Sequence, residues 1–328
     1  MALFRCNKCG HIREVGNDYI GKSVKCPKCS QTAPIYDTIT FIKALIQKHM
    51  AQGSQLKQLQ QDNEQELDIQ IVESIPAEDI DIYNTTALAQ SAQSAPIKEW
   101  FEKNKIQTEI NQDANDTTGF FDEIALLIGN NFKTLKFASD QIKYIQNKGY
   151  TNVKLDLAKK NKKEITQIKA FCKEMYDYSF VARYHFQKKD NIIRLTLQTA
   201  PRIRNFFNGK WMEWFTFMKL LEFFRDKNMN TSCIRSLEIK FKDGVANELD
   251  IFFLTQNNIP VCIECKSGEF RGDIDKYLKL RKKLKLGKNQ FIICVFGLSS
   301  EQTQGMTSMY DLTFTNEENL INHIERIT

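Results

Sequence analysis

The stretch NELDIFFLTQNNIPVCIECKSG, residues 247–268, decides the expected fold of the C-terminal part of the chain. Two apolar runs lie on either side of the turn residues 256–258, and they predict two neighbouring strands. On the second strand Glu264 and Lys266 share one face, because side chains alternate along a strand. Charges within apolar strands are costly unless they are paired or bind a metal ion. The stretch therefore predicts a buried sheet that carries a charged site.

The first of the two strands adds acidic side chains to this site. Glu248 and Asp250 are expected on one face and Leu249 and Ile251 on the other. Two carboxylates beside a lysine suit a divalent cation next to a group that handles water. The simpler alternative is an edge strand whose charges face water, and the glutamate–lysine pair alone would favour it.

A further acid lies upstream, within an apolar helix. The segment 202–214, RIRNFFNGKWMEW, opens a helix that we predict over residues 210–227. Glu213 lies within reach of the apolar surface of this helix, where an acid needs a partner. It is either a member of the charged site or a surface glutamate that helps solubility.

Three segments together resemble a known nuclease superfamily. They are NGKWME at 208–213, NELD at 247–250 and IECKSG at 263–268. In this order they resemble the PD-(D/E)xK restriction-like nucleases, and in particular the nuclease domain of CRISPR-ancillary nucleases activated by cyclic oligoadenylate. The resemblance covers about residues 200–328. It implies an α/β fold with a restriction-endonuclease-like mixed sheet flanked by helices, and a role in prokaryotic defence against phage and mobile elements.

The resemblance also implies a reaction and the residues that perform it. The expected enzyme is an Mg²⁺- or Mn²⁺-dependent endonuclease, with DNA favoured as substrate and RNA as the alternative. Asp250 and Glu264, with the backbone carbonyl of Cys265, would hold the ion, and Lys266 would orient the attacking water or stabilise developing charge. A second acid would reach the metal shell, with Glu248 a weaker candidate than Glu213. Related nucleases imply a homodimer. The implied catalytic residues are Glu213, Asp250, Glu264 and Lys266.

A basic helix follows the charged strand. We predict it from about Asp273 to Leu286, with Ile274 and Tyr277 facing inward. Its basic side chains form either an ordinary solvated face or, because they lie beside the expected site, a surface that contacts the phosphates of nucleic acid. The candidate nucleic-acid contacts are Lys276, Lys279, Lys282 and Lys283.

Two Cys-x-x-Cys pairs, residues 6–9 and 26–29, lie near the N-terminus with sixteen residues between them. Four thiolates at this spacing match the tetrahedral preference of zinc and predict a small zinc ribbon over residues 1–36. Its role stays open between nucleic-acid contact, docking of a protein partner and a structural cap. Cys262 and Cys265 form a third such pair, but residues three apart on a strand face opposite sides and cannot share an ion. The predicted zinc ligands are Cys6, Cys9, Cys26 and Cys29.

Charge divides the chain into segments. Residues 1–36 carry six basic and two acidic groups. Residues 37–118 carry six basic and fourteen acidic groups, and residues 119–328 carry thirty-four basic and twenty-four acidic groups. The acidic, Gln-rich segment 37–118 is predicted to be a linker with short helices, between two basic parts that suit a polyanion. Residues 119–199 predict an α+β module of helices and a hairpin, either winged-helix-like or plain, ahead of the nuclease domain at 200–328.

The composition of the chain predicts its cellular compartment. Nine cysteines, an odd number, argue against a secreted disulfide framework, and no apolar run has the length of a membrane span. We therefore expect a cytoplasmic protein with no membrane partner.

A competing hypothesis is a non-catalytic adapter, in which an inert nuclease fold and the ribbon bind nucleic acid or protein. The intact set of two acids and a lysine counts against it.

Overall fold

The structure, a computed structural model, describes residues 2–6, 8–9, 11–37, 91–111, 114–115, 120–229 and 231–328. The chain divides into two compact units, Met1–Val72 and Glu73–Thr328. Most of the predicted acidic linker, residues 38–90, lies outside the described residues. Among the described helices, none combines the length and the apolar character needed to cross a membrane.

The first unit contains a small antiparallel sheet in the order β2-β1-β4-β3. Its core holds four apolar side chains together with Cys6 and Cys26. A core of this size buries too little surface to stabilise a fold alone, so a bound metal ion is expected to contribute. The strands are β1 (Ala2–Arg5), β2 (Ile12–Val15), β3 (Ser23–Lys25) and β4 (Thr32–Asp37).

The second unit is built on a six-stranded mixed sheet in the order β13-β12-β11-β10-β9-β5. Strands β5, β9, β10 and β11 pair antiparallel, whereas β11, β12 and β13 pair parallel. This confirms the predicted mixed sheet flanked by helices. Its strands are β5 (Gln107–Ile110), β9 (Ser232–Lys240), β10 (Ala246–Leu254), β11 (Pro260–Ser267), β12 (Phe291–Phe296) and β13 (Thr313–Thr315).

Helices cover both faces of this sheet. One face belongs to an apolar cluster that also includes side chains of α2, α3, α4, α6 and α9, and the other face belongs to a cluster that includes side chains of α1 and α7. The helices are α1 (Ser91–Lys103), α2 (Phe121–Asn130), α3 (Phe132–Asn147), α4 (Lys162–Asp177), α5 (Pro201–Asn205), α6 (Trp211–Asp226), α7 (Ile274–Lys283), α8 (Ser300–Met309) and α9 (Leu320–Ile327).

Part of the segment predicted as linker belongs to this sheet. Helix α1 buries Ile97 and Phe101 against the sheet, and β5 pairs with β9 from Gln107↔Lys240 to Ile110↔Leu237. The acidic composition of 37–118 predicts short helices but neither the packing of α1 on the sheet nor the strand β5, because only a few apolar side chains are needed to hold one helix and one edge strand.

The middle module is an α+β unit that shares its core with the helices on the six-stranded sheet. Strands β6 (Asn152–Asp156), β7 (Val181–Gln187) and β8 (Ile192–Leu197) form an antiparallel sheet in the order β6-β8-β7. One helix, α4, lies between β6 and β7. The inner side chains of this sheet join the cluster that includes Trp214 and Phe215 of α6.

Close packing between α2 and α6 gives a test of this shared core. A Cβ atom at Gly129 would lie 2.1 Å from Cδ2 of Phe215, whereas one at Gly305 of α8 would meet no atom within 4 Å. Gly129→Ala is therefore expected to lower the free energy of unfolding by about 1–3 kcal/mol through overpacking. Gly305→Ala, the matched control, should raise it by about 0.5 kcal/mol. Denaturant unfolding measures both, and an unchanged Gly129→Ala variant would contradict the packing.

Candidate active site

The site forms where the ladder between β10 and β11 ends. Backbone pairing of these strands runs from Leu254↔Pro260 to Ile251↔Ile263 and stops there. The next backbone N–H groups are satisfied by side chains. Cys265 N donates to Asp250 Oδ2 at 2.8 Å, and Asp250 N lies 3.5 Å from Glu264 Oε1. A carboxylate thus replaces the missing backbone acceptor, which fixes both acids at one end of the ladder.

Lys266 completes the cluster. Its Nζ lies 3.7 Å from Asp250 Oδ2 and 3.7 Å from Glu264 Oε2, and 5.8 Å from the centre of the Tyr277 ring on α7. The structure therefore brings together the aspartate, the glutamate and the lysine that the sequence singled out. With two carboxylates and one ammonium group, the cluster has a formal charge of −1.

Burial perturbs all three groups. Burial raises the pKa of Asp250 although Lys266 opposes it, and burial together with the charge of Asp250 raises the pKa of Glu264 well above its usual value. Burial alone would lower the pKa of Lys266, but Asp250 and Glu264 outweigh burial and raise it. Two buried acids that resist ionisation are typical of a site that gains from an additional cation.

Glu213 sits in a separate, charge-balanced network. Its carboxylate contacts Lys210 Nζ at 3.2 Å, Arg235 Nη1 at 3.2 Å and Ser236 Oγ at 3.1 Å. Lys210 also pairs with Glu248, so this ammonium group bridges the two glutamates. Glu213 is 6% exposed, and burial followed by the charge of Asp250 raises its pKa to about 7 despite the two cations.

Arg235 and Lys210 are the residues that sequence reasoning missed. The Arg235 guanidinium stacks 3.9 Å from the centre of the Trp214 ring and donates to the Ala114 carbonyl, and Arg235 N donates to Asn115 Oδ1 at 2.9 Å. Arg235 is a cation inside the apolar run of β9, so the argument used for Glu264 could have found it. Lys210 lies three residues before Glu213 on the same helical face.

An open cleft of about 480 Å³ runs beside these groups. Asp250, Cys265 and Lys266 line it on one side and Lys210 and Glu213 on another, with Lys143 of α3 also at its wall. Glu264 does not line the cleft and lies buried behind Asp250 and Lys266, 3% exposed. A ligand in the cleft would therefore meet Asp250 and Lys266 directly.

One expectation about the first strand is wrong. Leu249 packs into the cluster on the α7 side, whereas Ile251 packs on the α6 side, so the two do not share a face. The alternation of side chains between the two sheet faces shifts by one residue on both paired strands. The shift occurs at Asp250 on β10 and at Ser236 on β9. Ser236 has a φ of 53°, a left-handed conformation that turns the strand there. Such strained residues often cluster at functional sites, and the Ser236 hydroxyl contacts both Lys210 and Glu213.

The candidate lysines of α7 differ in whether an acidic side chain already pairs with them. Lys276, Lys279 and Lys282 are exposed, whereas Lys283 pairs with Asp243 at 2.6 Å and lies over the Phe241 ring. Arg281, on the same helix, is buried and pairs with Asp311. The exposed face of α7 is basic, and the nucleic-acid contacts stay a prediction.

The four N-terminal cysteines come together. The Sγ atoms of Cys6, Cys9, Cys26 and Cys29 all lie within 4.8 Å of one another. The Cys6–Cys29 and Cys9–Cys26 sulfurs are 3.4 and 3.6 Å apart, too far for disulfide bonds. Within the described residues, this is the one group of three or more cysteine, histidine or acidic side chains placed to share a metal ion. Cys262 and Cys265 lie in clusters on opposite sheet faces, as expected.

The raised pKa of Glu213 predicts how stability depends on pH. Because the folded state binds this proton more tightly than the unfolded chain, the wild type should lose stability as the pH rises from about 5 to about 8. In Glu213→Gln this group cannot ionise, so its melting temperature, measured with a chelator present, should fall less over the same range.

The control is Glu248→Gln. Burial alone would raise the pKa of Glu248, but its bond with Lys210 lowers it, so this group contributes nothing to the slope above about pH 5. A Glu213→Gln slope as steep as that of the wild type would contradict the prediction.

A match to a known family covers the region of this site. The crystal structure of protein VC1899 from Vibrio cholerae is similar with a TM-score of 0.47 and 16% identity, over 70% of this chain and 60% of that one, which is too distant to support an argument. No curated protein matches the chain. Residues 200–291 match the family described as Card1-like, endonuclease domain. These residues are therefore similar to a Card1-like endonuclease domain, a nuclease family of the PD-(D/E)xK type.

Proposed function

We propose that the protein is a metal-dependent endonuclease that hydrolyses phosphodiester bonds, with DNA as the favoured substrate and RNA as the alternative. The observation that carries the proposal is the position of Lys266, 3.7 Å from both Asp250 and Glu264 beside an open cleft. A role in defence against phage and mobile DNA belongs to the same proposal and rests on the resemblance alone.

The donor set fits Mg²⁺ or Mn²⁺. Carboxylate and carbonyl oxygens are the ligands that these hard ions prefer, and the formal charge of −1 at Asp250, Glu264 and Lys266 attracts a cation. Asp250 and Glu264, with the carbonyl of Cys265, would hold it. When bound, such an ion polarises the scissile phosphate and lowers the pKa of a bound water.

Lys266, Asp250 and Glu213 would have different roles in the hydrolysis. Lys266 has a raised pKa and stays protonated at neutral pH, so it suits stabilising negative charge at the phosphate better than accepting a proton. Asp250 is held by the N–H of Cys265, which keeps its carboxylate at the wall of the cleft. Glu213, already paired with Lys210 and Arg235, acts at a distance by fixing the opposite wall.

Loss of Lys266 tests this function. Lys266→Ala should reduce cleavage of plasmid DNA by about a hundredfold or more, a typical effect of removing a group that acts on the transition state. Lys242→Ala, which removes an exposed lysine outside the cluster, should cleave normally. Cleavage is followed on supercoiled plasmid, single-stranded DNA and RNA with Mg²⁺ or Mn²⁺.

Folding must be checked alongside, because Lys266 separates two buried acids. Lys266→Arg keeps the charge and should retain the fold, and the melting temperature of each variant is measured. Full activity in a folded Lys266→Ala variant would remove the lysine from the mechanism. Binding without cutting under every metal condition would favour the adapter.

For the N-terminal cluster we propose a structural zinc ion. Four thiolates complete a tetrahedral site and leave no open position, so this ion takes no part in hydrolysis.

Metal analysis tests the zinc site. The purified protein should contain one zinc ion per chain, and Cys26→Ser should lose it because a hydroxyl is a poor zinc ligand. Cys172→Ala, which changes a buried cysteine of the second unit, should keep the zinc. A zinc-free wild type purified without chelators would contradict the assignment.

A further inference from the structure

The outer face of the β6-β8-β7 sheet carries a row of basic side chains that the proposed reaction does not use. Its inner face packs into the core, whereas Lys154, Arg183, His185 and Arg194 are exposed. In the register of the sheet, Arg194 on the central strand stands opposite Lys154 on one side and His185 on the other. The next row places Arg183 opposite Thr196.

This arrangement is unfavourable for folding. Neighbouring strands lie about 4.8 Å apart, and like charges directly opposite each other destabilise a sheet. Within the described part of the chain, Lys154, Arg183 and Arg194 form no ion pair. Arg194 Nε instead donates to the neutral Gln187 side chain at 2.9 Å. The acid on this face, Asp156, accepts a bond from Ala158 N at 3.0 Å.

We propose that this face, which we name the basic sheet face, binds the phosphate backbone of nucleic acid. The proposal rests on the proposed nuclease function and adds a second contact outside the cleft. Arginine and lysine, together with threonine and amide side chains, are the groups that contact phosphates in such complexes, and this face offers all of them. The neutral donors are Asn152, Thr196 and Gln187.

The same face favours a duplex over other polyanions. Among the described residues on it, His185 has the one aromatic ring, so it lacks the row of aromatic side chains on which successive single-stranded bases stack. A membrane-binding surface would need several apolar side chains to insert among lipids, and Ile192 is the one apolar side chain in these rows. A cationic face without phenylalanine, tyrosine or tryptophan among its described residues therefore fits the backbone of a double helix.

Arg194→Glu gives a test in which binding and stability change in opposite directions. The new carboxylate would lie between Lys154 and His185, so the melting temperature should stay equal or rise. Affinity for a fluorescein-labelled DNA duplex, measured by anisotropy without divalent cations, should fall about tenfold at about 0.1 M salt. The slope of log affinity against log salt should become shallower by about one unit. A labelled single strand of equal length should bind more weakly to the wild type.

Two variants complete the design. Arg194→Lys should bind nearly as the wild type does, and Lys98→Glu makes the same change of net charge on α1, which packs on the other side of the large sheet. If Arg194→Glu and Lys98→Glu weaken binding equally, the effect is one of net charge and the basic sheet face is overturned. The same holds if Arg194→Glu binds normally.

Failure of the proposed function gives a different result. A wild type that neither binds a duplex nor cleaves any substrate would refute both the proposed function and the basic sheet face. Cleavage of DNA by an Arg194→Glu variant that also binds with normal affinity would refute the basic sheet face alone. Cleavage is scored separately, with Lys266→Ala as the variant expected to bind without cutting.

Discussion

The hydrogen bond from Cys265 N to the Asp250 carboxylate is the interaction on which the candidate site depends. It stands where the β10–β11 ladder would otherwise continue, so it satisfies a backbone donor and at the same time fixes an acid of the candidate site. Because Asp250 is held there, Glu264 and Lys266 of the next strand meet it at the end of the sheet. Burial raises the pKa of Asp250 although Lys266 opposes it, and this one lysine is shared with Glu264. The site is thus stable enough to fold and still short of positive charge.

A second network contrasts with the first. Glu213 and Glu248 share Lys210, and Arg235 contacts Glu213 from the sheet, so two acids meet two cations. Lys210 and Glu213 of this balanced set line the cleft, and so do Asp250 and Lys266 of the unbalanced set, whereas Glu264 lies buried behind them. The left-handed backbone at Ser236 connects them, because it shifts the strand alternation and places the Ser236 hydroxyl between Lys210 and Glu213. An added cation gains most at the unbalanced set, which is where we place the catalytic ion.

Particular residues show why part of this site could be predicted from the sequence. Asp250, Glu264 and Lys266 stand in apolar strands, and the high cost of burying charge makes such residues informative without any knowledge of their partners. The same argument applies to Arg235 in β9. The interactions of Arg235 could not be predicted, because Asn115 is 120 residues away along the chain and lies in a segment whose acidic composition indicates a linker. The shift of the side-chain alternation at Ser236 could not be predicted either, because a serine in a sequence does not indicate a left-handed backbone conformation.

The sequence by itself determined the zinc-ribbon pattern, the long helix and the two strands that carry the candidate site, and the identity of the acid–acid–lysine set. It could do so because thiolate spacing, hydrophobic periodicity and the cost of burying charge are local properties of the chain. Only the tertiary structure decided that α1 and β5 complete the large sheet, that Glu264 is buried behind the cleft, and that Glu213 is engaged by two cations. Those outcomes depend on contacts between distant segments, and side chains far apart along the chain leave no periodic or compositional signal of their meeting.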